Sequence, residues 1–330
     1  MKIISIPFAE RITRKILVLL FLSLFCLAAR TQTLFFEKFG VEEGLGSSKV
    51  YTVIQDRHDF VWLGTESGAA RFDGNRFVNF GSLNGLSAGG VKSLFEDTTG
   101  RIWFGHLNGG ISWYDGIKFS RARIDTLTIT GDITGISQLG NDFWITTSSN
   151  GAFRTQLPPQ GATVLKGRHY TGQEGLSDQI FSLYIDRNNN LFCITDAFIK
   201  KYNPEKDIFE TYSPPGLTTY FNVVSMFQDT KGNYWYGLHN GGLYMQDAVA
   251  GEMKIYDILN GLSRMFVSCF AEDYKGNVWI GTFGGGVTLY SEGKLKIYNR
   301  SNGLNSLNIL NIFEDREKNI LISDYYNGLS

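Results

Sequence analysis

The sequence predicts an all-β protein, namely a seven-bladed β-propeller of four-stranded antiparallel blades whose last blade is incomplete. The first observation behind this prediction is a repeated motif, D-x-x-G-x-[apolar]-W. It reads DRHDFVW from Asp56 and DTTGRIW from Asp97, and further copies begin at Asp186, Asp229, Asp273 and, in degenerate form, Asp315. Repeats of roughly 40 residues that are rich in strand-forming residues are typical of stacked sheet units with a continuous core.

The second observation is the composition. Aromatic residues make up 14% of the chain, and there are 38 Gly but only 6 Pro. Many short strands with glycine turns and large packing residues would give this profile. The formal net charge is −1, and the sequence has no basic stripe. Nucleic acid is therefore not expected as a partner.

One unit, residues 83–122, shows how the repeat predicts a blade. Residues 91–97 alternate between apolar and polar, as a first strand would. A hairpin turn follows at 97–100, where the Asp side chain can accept hydrogen bonds from turn amides. Three further strands are predicted up to residue 119, which completes a four-stranded blade. The tryptophan of the motif is expected to pack one blade against the next.

The remaining units follow the same pattern along residues 32–330. They are predicted at 42–80, 125–170, 172–215, 216–258, 259–300 and 301–330. The last unit contains two strands and only the start of a third. Residues 34–39 precede the first unit at the place of a fourth strand. We expect them to complete the last blade, because joining the two ends of the ring leaves no unpaired edge.

The N-terminal residues 1–31 are predicted to be a signal peptide. Basic residues occur up to Lys15, an apolar run spans 16–29, and small residues end that run. The run is short for a membrane-spanning helix, although an uncleaved signal anchor remains the alternative. Residues 32–330 are therefore expected in the periplasm or cell envelope. Membrane attachment would come only from this segment or from a missing C-terminal part.

The repeat resembles that of the two-component regulator propeller family. The pattern G-L…V…D-x-x-G-x-[IL]-W-[IL]-G-T…G is matched by Gly261-Leu262, Asp273, Gly276 and Trp279 to Thr282. A second copy runs from Gly44-Leu45 through Trp62 to Thr65. The resemblance extends over essentially all of residues 34–330. It departs from the pattern in the third unit, at Phe192, and in the degenerate copy at 320–324.

The resemblance implies a periplasmic sensor region of a membrane histidine kinase that recognises carbohydrate fragments. Kinase activity would then reside in a missing C-terminal region, so this chain is not expected to be an enzyme. The implied partners are an oligosaccharide, a second copy in a homodimer, or a downstream histidine kinase region. No cofactor is expected. Neither is a metal site, because the sequence has no Cys and His cluster.

A ligand site is expected at one end of the propeller. Two sets of loops should meet there, one between the second and third strands and one between blades. Aromatic, amide and arginine side chains suit a sugar, which offers apolar CH faces and many hydroxyls. The candidates are His106, Asn108, Tyr220, His239, Asn240, Arg264, Phe283, Tyr325 and Tyr326. A turn or packing role is the alternative for each, and both histidines are interpreted as exposed loop residues.

Two other functions remain open from sequence. The fold equally supports a secreted protein-interaction scaffold. Propellers also include lyases and glycosidases, but no constellation of unlike catalytic groups is evident in the predicted loops. Trp113 lies outside the repeat motif, in a predicted third strand. It is interpreted either as a partner contact or as packing in the outer part of the blade.

Overall fold

The protein is described here by a computed structural model that covers residues 36–125, 127–159, 161–217 and 222–330. Residues 36–330 form one compact unit. The predicted signal peptide 1–31, the first two residues of the predicted closing strand and Tyr220 lie outside the described residues. No described helix is long and apolar enough to cross a membrane.

The predicted all-β propeller is confirmed, with consecutive strands joined in antiparallel sheets, apart from Val164–Leu165, which pairs in parallel with Phe119–Ile124. Blade 1 contains β1 (Val50–Gln55), β2 (Val61–Thr65), β3 (Gly68–Phe72) and β4 (Phe77–Phe80). Blade 2 contains β5 (Val91–Glu96), β6 (Ile102–His106), β7 (Ile111–Tyr114) and β8 (Phe119–Ile124). Blade 3 contains β9 (Ile133–Leu139), β10 (Asp142–Thr147), β11 (Ala152–Gln156) and β13 (Gly167–Tyr170), with β12 (Val164–Leu165) inserted before β13.

The second half of the ring repeats this arrangement. Blade 4 contains β14 (Ile180–Ile185), β15 (Leu191–Thr195), β16 (Ile199–Asn203) and β17 (Ile208–Tyr212). Blade 5 contains β18 (Val223–Gln228), β19 (Tyr234–Leu238), β20 (Leu243–Gln246) and β21 (Met253–Tyr256). Blade 6 contains β22 (Val267–Glu272), β23 (Val278–Thr282), β24 (Gly286–Ser291) and β25 (Lys294–Tyr298). The described helices are short 3₁₀ turns at Ser82–Asn84, Leu107–Gly109, Gly172–Glu174, Ile258–Asn260 and Arg300–Asn302.

The predicted number of blades was wrong, because the structure has six blades and not seven. The seventh sequence unit forms only a two-stranded sheet, β26 (Ile309–Glu314) and β27 (Ile320–Asp324). Beyond it, Leu329 makes isolated antiparallel bridges to Ser323 and to Phe39. Single bridges do not make strands, so this sheet does not reach the four strands of a blade. We call it the seventh sheet.

The first strands of the sheets lie side by side around the ring. Each contacts the first strand of the next sheet, and β26 contacts both β22 and β1. The glycine two positions after the motif tryptophan permits this close approach. A Cβ atom on Gly105 would lie 2.4 Å from Ile133 of the next blade, and one on Gly281 would lie 2.9 Å from Ile309. These glycines therefore sit where any larger residue would push neighbouring sheets apart.

The motif aspartate has two bonding roles, of which the sequence predicted one. In blade 2, Asp97 Oδ1 accepts hydrogen bonds from the backbone amides of Thr99 and Arg101, as expected of a turn residue. Its Oδ2 accepts from Trp103 Nε1 at 2.8 Å. Burial acts to raise the pKa of Asp97, but its hydrogen bonds and the charge of Arg101 outweigh burial and hold that pKa below its usual value. The motif thus joins a hairpin turn to the blade core.

Blade 3 lacks this bond because Leu139 occupies the position of the aspartate. The Nε1 of Trp144 is buried and has no hydrogen-bond partner among the described residues. Trp144 is nevertheless fully buried and packs against Tyr170 and Tyr202, with ring centroids 5.2 and 4.9 Å away. Trp144 therefore acts through the contacts of its ring, which include the guanidinium carbon of Arg154 at 5.6 Å from the ring centroid.

A recurring hydrogen bond joins neighbouring sheets at the end of the ring that carries the motif turns. The backbone amide after each motif aspartate donates to a Gln or Glu side chain at the last or next-to-last position of the first strand of the next sheet. We call it the seam bond. The pairs are Arg57 with Glu96, Thr98 with Gln138, Arg187 with Gln228, Thr230 with Glu272, Tyr274 with Glu314, and Arg316 with Gln55.

The boundary between blades 3 and 4 has no seam bond of this kind, because Ile185 occupies the acceptor position. A polar cluster joins these two blades instead. Arg154 of blade 3 lies 3.0 Å from Asp207 of blade 4. Asp207 also accepts hydrogen bonds from the hydroxyls of Tyr170 and Tyr202, each at 2.6 Å.

Trp113 packs inside the molecule. It is 1% exposed and belongs to a core cluster that also contains Trp103 and Phe143. Its ring centroid lies 6.4 Å from that of Trp103. Of the two interpretations offered by the sequence, packing is therefore the one that the structure supports.

Candidate ligand-binding end of the propeller

The two predicted sets of loops meet at one end of the ring. In blades 1, 2, 5 and 6 and in the seventh sheet, the residue that follows the second strand donates its backbone N–H to the carbonyl of the residue just before the first strand. Such bonds, of 2.9 to 3.2 Å, join Glu66 to Lys49, Leu107 to Gly90, His239 to Asn222, Phe283 to Phe266 and Tyr325 to Asn308. This end of the ring is therefore built from paired loops.

Five aromatic side chains form a continuous line across three consecutive sheets at this end. We call them the aromatic arc. The ring centroids of His239 and Phe266 are 4.5 Å apart, and those of Phe266 and Phe283 are 5.6 Å apart. Phe283 lies 5.9 Å from Tyr325, which lies 4.8 Å from Tyr326. Blades 5 and 6 and the seventh sheet thus contribute to one surface.

The arc is accessible to solvent. Tyr326 is 57% exposed, His239 is exposed, and the other three rings are half-buried. Large aromatic side chains are usually buried in globular proteins, so a line of partly exposed rings indicates a binding surface. Aromatic surface flanked by polar groups is a common form of ligand site.

Lys49 lies at the seventh-sheet end of the arc. Its ammonium group is 4.0 Å from the centroid of the Tyr325 ring and 4.9 Å from that of Tyr51. Such cation–π contacts are worth more when the cation is desolvated, and the Lys49 side chain is only 15% exposed. Burial lowers the pKa of Lys49, but its interactions with the two tyrosines have the larger effect, and that pKa is raised. Lys49 therefore fixes Tyr325 from the side of blade 1.

Asp324 shapes the loop that carries the two tyrosines. It occupies the position held by Thr65 in blade 1 and Thr282 in blade 6, where each hydroxyl donates to a backbone carbonyl. A carboxylate cannot do so, and Asp324 instead accepts from the amides of Tyr326 and Asn327, both at 2.6 Å. Burial raises the pKa of Asp324, although these amides oppose that effect.

Two polar candidates lie beside the arc. Asn240 follows His239 in the chain and is exposed. Arg264 is exposed and passes close to the loop after Phe283, since a Cβ on Gly285 would lie 2.8 Å from the Arg264 Cβ. A groove of about 270 Å³ borders the same loop and is lined by Ser263, Gly284, Gly285, Ile297, Asn299, Arg300 and Leu307.

His106 was wrongly interpreted as an exposed loop residue. It ends β6 and is fully buried, at the position of the buried Thr65 in blade 1. Its Nε2 lies 3.1 Å from Ser112 Oγ and its Nδ1 lies 3.3 Å from the Gly89 carbonyl. Burial lowers the pKa of His106 to about 4. A ligand at the surface would not meet this side chain.

Asn108 is exposed, but it belongs to a different part of the ring. It has a left-handed φ of 63° and lines a second groove of about 470 Å³ beside blade 2. Its backbone amide donates a hydrogen bond of 3.3 Å to a carboxylate oxygen of Asp132. Of the nine predicted residues, the arc therefore contains His239, Phe283, Tyr325 and Tyr326, with Asn240 and Arg264 beside it.

The sequence prediction missed Phe266, Lys49 and Tyr51. The signal for Phe266 was present, because the residue just before the first strand is aromatic only in blade 6. The equivalent residues are Lys49, Gly90, Asp132, Gln179, Asn222 and Asn308. Within the described part of the chain, no group of three or more His, Cys, Asp or Glu residues could hold a metal ion.

A family model described as "Two component regulator propeller" matches residues 261–284. This match covers the copy of the repeat that includes Trp279, and it confirms the resemblance found in the sequence. A search of curated proteins found no match.

The fold is similar to that of several solved structures. The extracellular domain of a hybrid two-component system from B. thetaiotaomicron has 21% identity and a TM-score of 0.72, with 89% of this chain and 41% of that chain covered. The extracellular domain of a one-component system from the same organism has 21% identity and a TM-score of 0.72, with 91% and 40% covered. This chain thus spans about two fifths of the length of either structure.

A virginiamycin B lyase from Staphylococcus aureus is also similar, with 13% identity, a TM-score of 0.63, and 86% of this chain and 94% of that chain covered. Identities this low show that the propeller fold is shared. They leave the chemistry of this chain to be argued from its own residues.

Proposed function

We propose that this protein is the extracytoplasmic ligand-binding propeller of a two-component signalling system, and that its aromatic arc binds a carbohydrate fragment. The observation that carries the proposal is the line of five partly exposed rings from His239 to Tyr326. The apolar CH faces of a sugar can stack on such rings, and its hydroxyls can bond to polar groups at the rim. Asn240 and Arg264 supply those groups.

The length of the arc favours an oligosaccharide over a single sugar. Four successive steps between ring centroids, of 4.5 to 5.9 Å, separate its two ends. A monosaccharide would cover one or two rings, whereas a chain of several sugars could contact rings from three sheets. Affinity would then come from repeated stacking contacts, with Tyr326 and His239 as the most exposed of them.

Export and signalling form part of the same proposal. The basic and apolar segments of residues 1–31 support a signal peptide. The similar structures from B. thetaiotaomicron are extracellular domains, which supports a location in the periplasm or cell envelope. In such a system the propeller binds the ligand, while phosphotransfer belongs to other parts of the signalling pathway, so we do not assign catalysis to the arc.

The test is a thermal-shift screen of the protein without its signal peptide against plant, host and microbial oligosaccharides, followed by calorimetry on any hit. A ligand that binds only the folded state raises the melting temperature in a saturable manner. We expect Tyr326→Ala to weaken binding by roughly tenfold, as loss of an exposed aromatic contact does at many interfaces.

Tyr274→Ala is the matched control. Tyr274 is 59% exposed, against 57% for Tyr326, but it lies in a motif turn at the opposite end of the ring. Equal effects of the two substitutions would place the ligand elsewhere. Saturable binding of a protein partner, with no response to any sugar, would favour the scaffold interpretation. Conversion of a bound sugar to product would favour an enzyme of the lyase or glycosidase type.

A further inference from the structure

The end of the aromatic arc and the closure of the ring share one short stretch of chain. Tyr325 and Tyr326 belong to the arc, and Leu329 bridges to Phe39 only three residues later. We call residues 324–330 the closing segment. It lies where the seventh sheet meets blade 1, so a ligand on the arc would touch the boundary between these two sheets.

Hydrogen bonds run through the closing segment without a gap. The Asp324 carboxylate holds the amides of Tyr326 and Asn327. The Asp324 amide donates to the Gly328 carbonyl at 3.1 Å. Hydrogen bonds in a network of this kind strengthen one another, so the loss of one bond weakens its neighbours.

The same segment is bonded to blade 1 and to the N-terminal stretch. The Gly328 amide donates to the Ser48 carbonyl at 2.7 Å, and Leu329 and Phe39 exchange backbone hydrogen bonds of 2.9 and 3.0 Å. Lys49, the next residue after Ser48, holds the ring of Tyr325. Blade 1 is thus connected to the arc by a backbone bond and a side-chain contact at adjacent positions.

We propose that ligand binding at the aromatic arc is coupled to ring closure through the closing segment. The proposal rests on the ligand-binding function proposed for the arc. A ligand that orders Tyr325 and Tyr326 also orders Gly328 and Leu329, and so strengthens the pairing with Phe39. Coupling between two sites is reciprocal, so tightening the closure must raise ligand affinity by the same factor. Occupancy of the arc is then reported as tighter pairing between Leu329 and Phe39.

A reversible covalent closure tests the proposal. Phe39 and Leu329 form a hydrogen-bonded antiparallel pair, for which the Cα atoms are about 5.5 Å apart, within the range that a disulfide spans. The double variant Phe39→Cys/Leu329→Cys can therefore be compared with itself in oxidised and reduced form. Neither residue belongs to the arc, and the comparison cancels the packing lost when the two side chains are shortened.

We expect the oxidised form to bind an oligosaccharide found in the screen about fivefold or more tightly than the reduced form, the lower end of typical allosteric coupling. Binding by the unsubstituted protein should not respond to reductant, because its described cysteines, Cys193 and Cys269, form no disulfide. Equal affinities in the two forms would overturn the coupling, while leaving sugar binding intact.

Amide hydrogen exchange supplies a test on the unsubstituted protein. Saturating oligosaccharide should slow exchange at Phe39 and Leu329 by about fivefold or more. The Gly151 amide, which donates to Asp178 at 2.9 Å between blades 3 and 4, is the matched control and should not change. Uniform slowing at both places, or none at either, would overturn the coupling.

A ligand-free comparison separates this proposal from the proposed function. Oxidation of the double variant should slow exchange at the Tyr326 and Asn327 amides, which bond to Asp324, whether or not any sugar binds. Slowing there, with no sugar bound in the screen, would support the coupling and reject the carbohydrate ligand. Unchanged exchange at these amides would overturn the coupling whatever the screen finds.

Discussion

Replacing the motif tryptophan by phenylalanine should remove a hydrogen bond in blade 2, but in blade 3 it should remove a buried polar group that has no partner among the described residues. Trp103 donates its indole N–H to the buried carboxylate of Asp97, whereas the indole N–H of Trp144 is buried without a partner among the described residues. Both side chains are fully buried among aromatic rings, so Trp103→Phe and Trp144→Phe remove similar apolar contacts. The difference between the two variants in free energy of unfolding therefore reports on the indole hydrogen bond.

The expected magnitude follows from the two environments. Loss of a hydrogen bond to a charged group lowers the free energy of unfolding by about 1.5–3 kcal/mol. A buried polar group without a partner destabilises the folded state by about 1–3 kcal/mol, and a substitution that removes the group recovers this amount. Trp103→Phe should therefore lower the free energy of unfolding by at least about 2.5 kcal/mol more than Trp144→Phe. Blade 4 already has a phenylalanine, Phe192, at this position, so the fold accommodates the change.

The assay is urea unfolding followed by far-ultraviolet circular dichroism, with slopes compared between variants to check that the unfolding transition is unchanged. Asp97→Ala alone and Asp97→Ala in the Trp103→Phe background complete a double-mutant cycle for the bond. Equal losses for Trp103→Phe and Trp144→Phe would refute the reasoning, because they would show that the tryptophans stabilise the blades by packing alone.

Two further predictions concern the seam bonds and pH. Glu272→Ala removes the acceptor of both the backbone amide and the hydroxyl of Thr230, so the free energy of unfolding should fall by about 1–3 kcal/mol. The control is Glu252→Ala at an exposed position, which should change the free energy of unfolding by less than about 0.5 kcal/mol. Denaturant titrations measure both changes. Burial lowers the pKa of His106 to about 4, so between pH 6.5 and 4 the unfolded state binds a proton that the folded state does not. The free energy of unfolding should therefore fall by about 3 kcal/mol as the pH is lowered from about 6.5 towards 4. His106→Gln should abolish that slope; a slope identical to that of the unsubstituted protein would assign it to other groups.

The fold class was predictable because each copy of the repeat contains residues that specify the same local structure. Each copy gives a turn aspartate, a core tryptophan and a glycine at fixed spacing, and two strands with a hairpin follow from them. The number of blades was not predictable in the same way. The motif marks only the first two strands of a sheet, so the copy at Asp315 was counted as a blade although it forms only β26 and β27.

The candidate site was only partly predictable. The sequence placed Phe283 and Tyr325 in one set of loops, because those loops follow the second strand in every unit. It could not show that Phe266 lies 5.6 Å from Phe283, since that distance depends on how one loop folds over another. His106 was misplaced because a histidine after the motif glycine was interpreted from its polarity. The buried threonine at the same position in other units was the better guide.

The short strand β12 limits how far the blades behave as separate modules. Residues 164–165 leave blade 3, pair in parallel with Arg123 and Ile124 of blade 2, and then return to form β13. Leu165 is 1% exposed and lies in a core cluster with Trp113 of blade 2 and Phe153 of blade 3. Sequence repeats suggest cutting points for recombination or circular permutation between any two copies. Between blades 2 and 3 such a cut would separate a strand from its partner, so these two blades should be inherited, transplanted and unfolded as a pair.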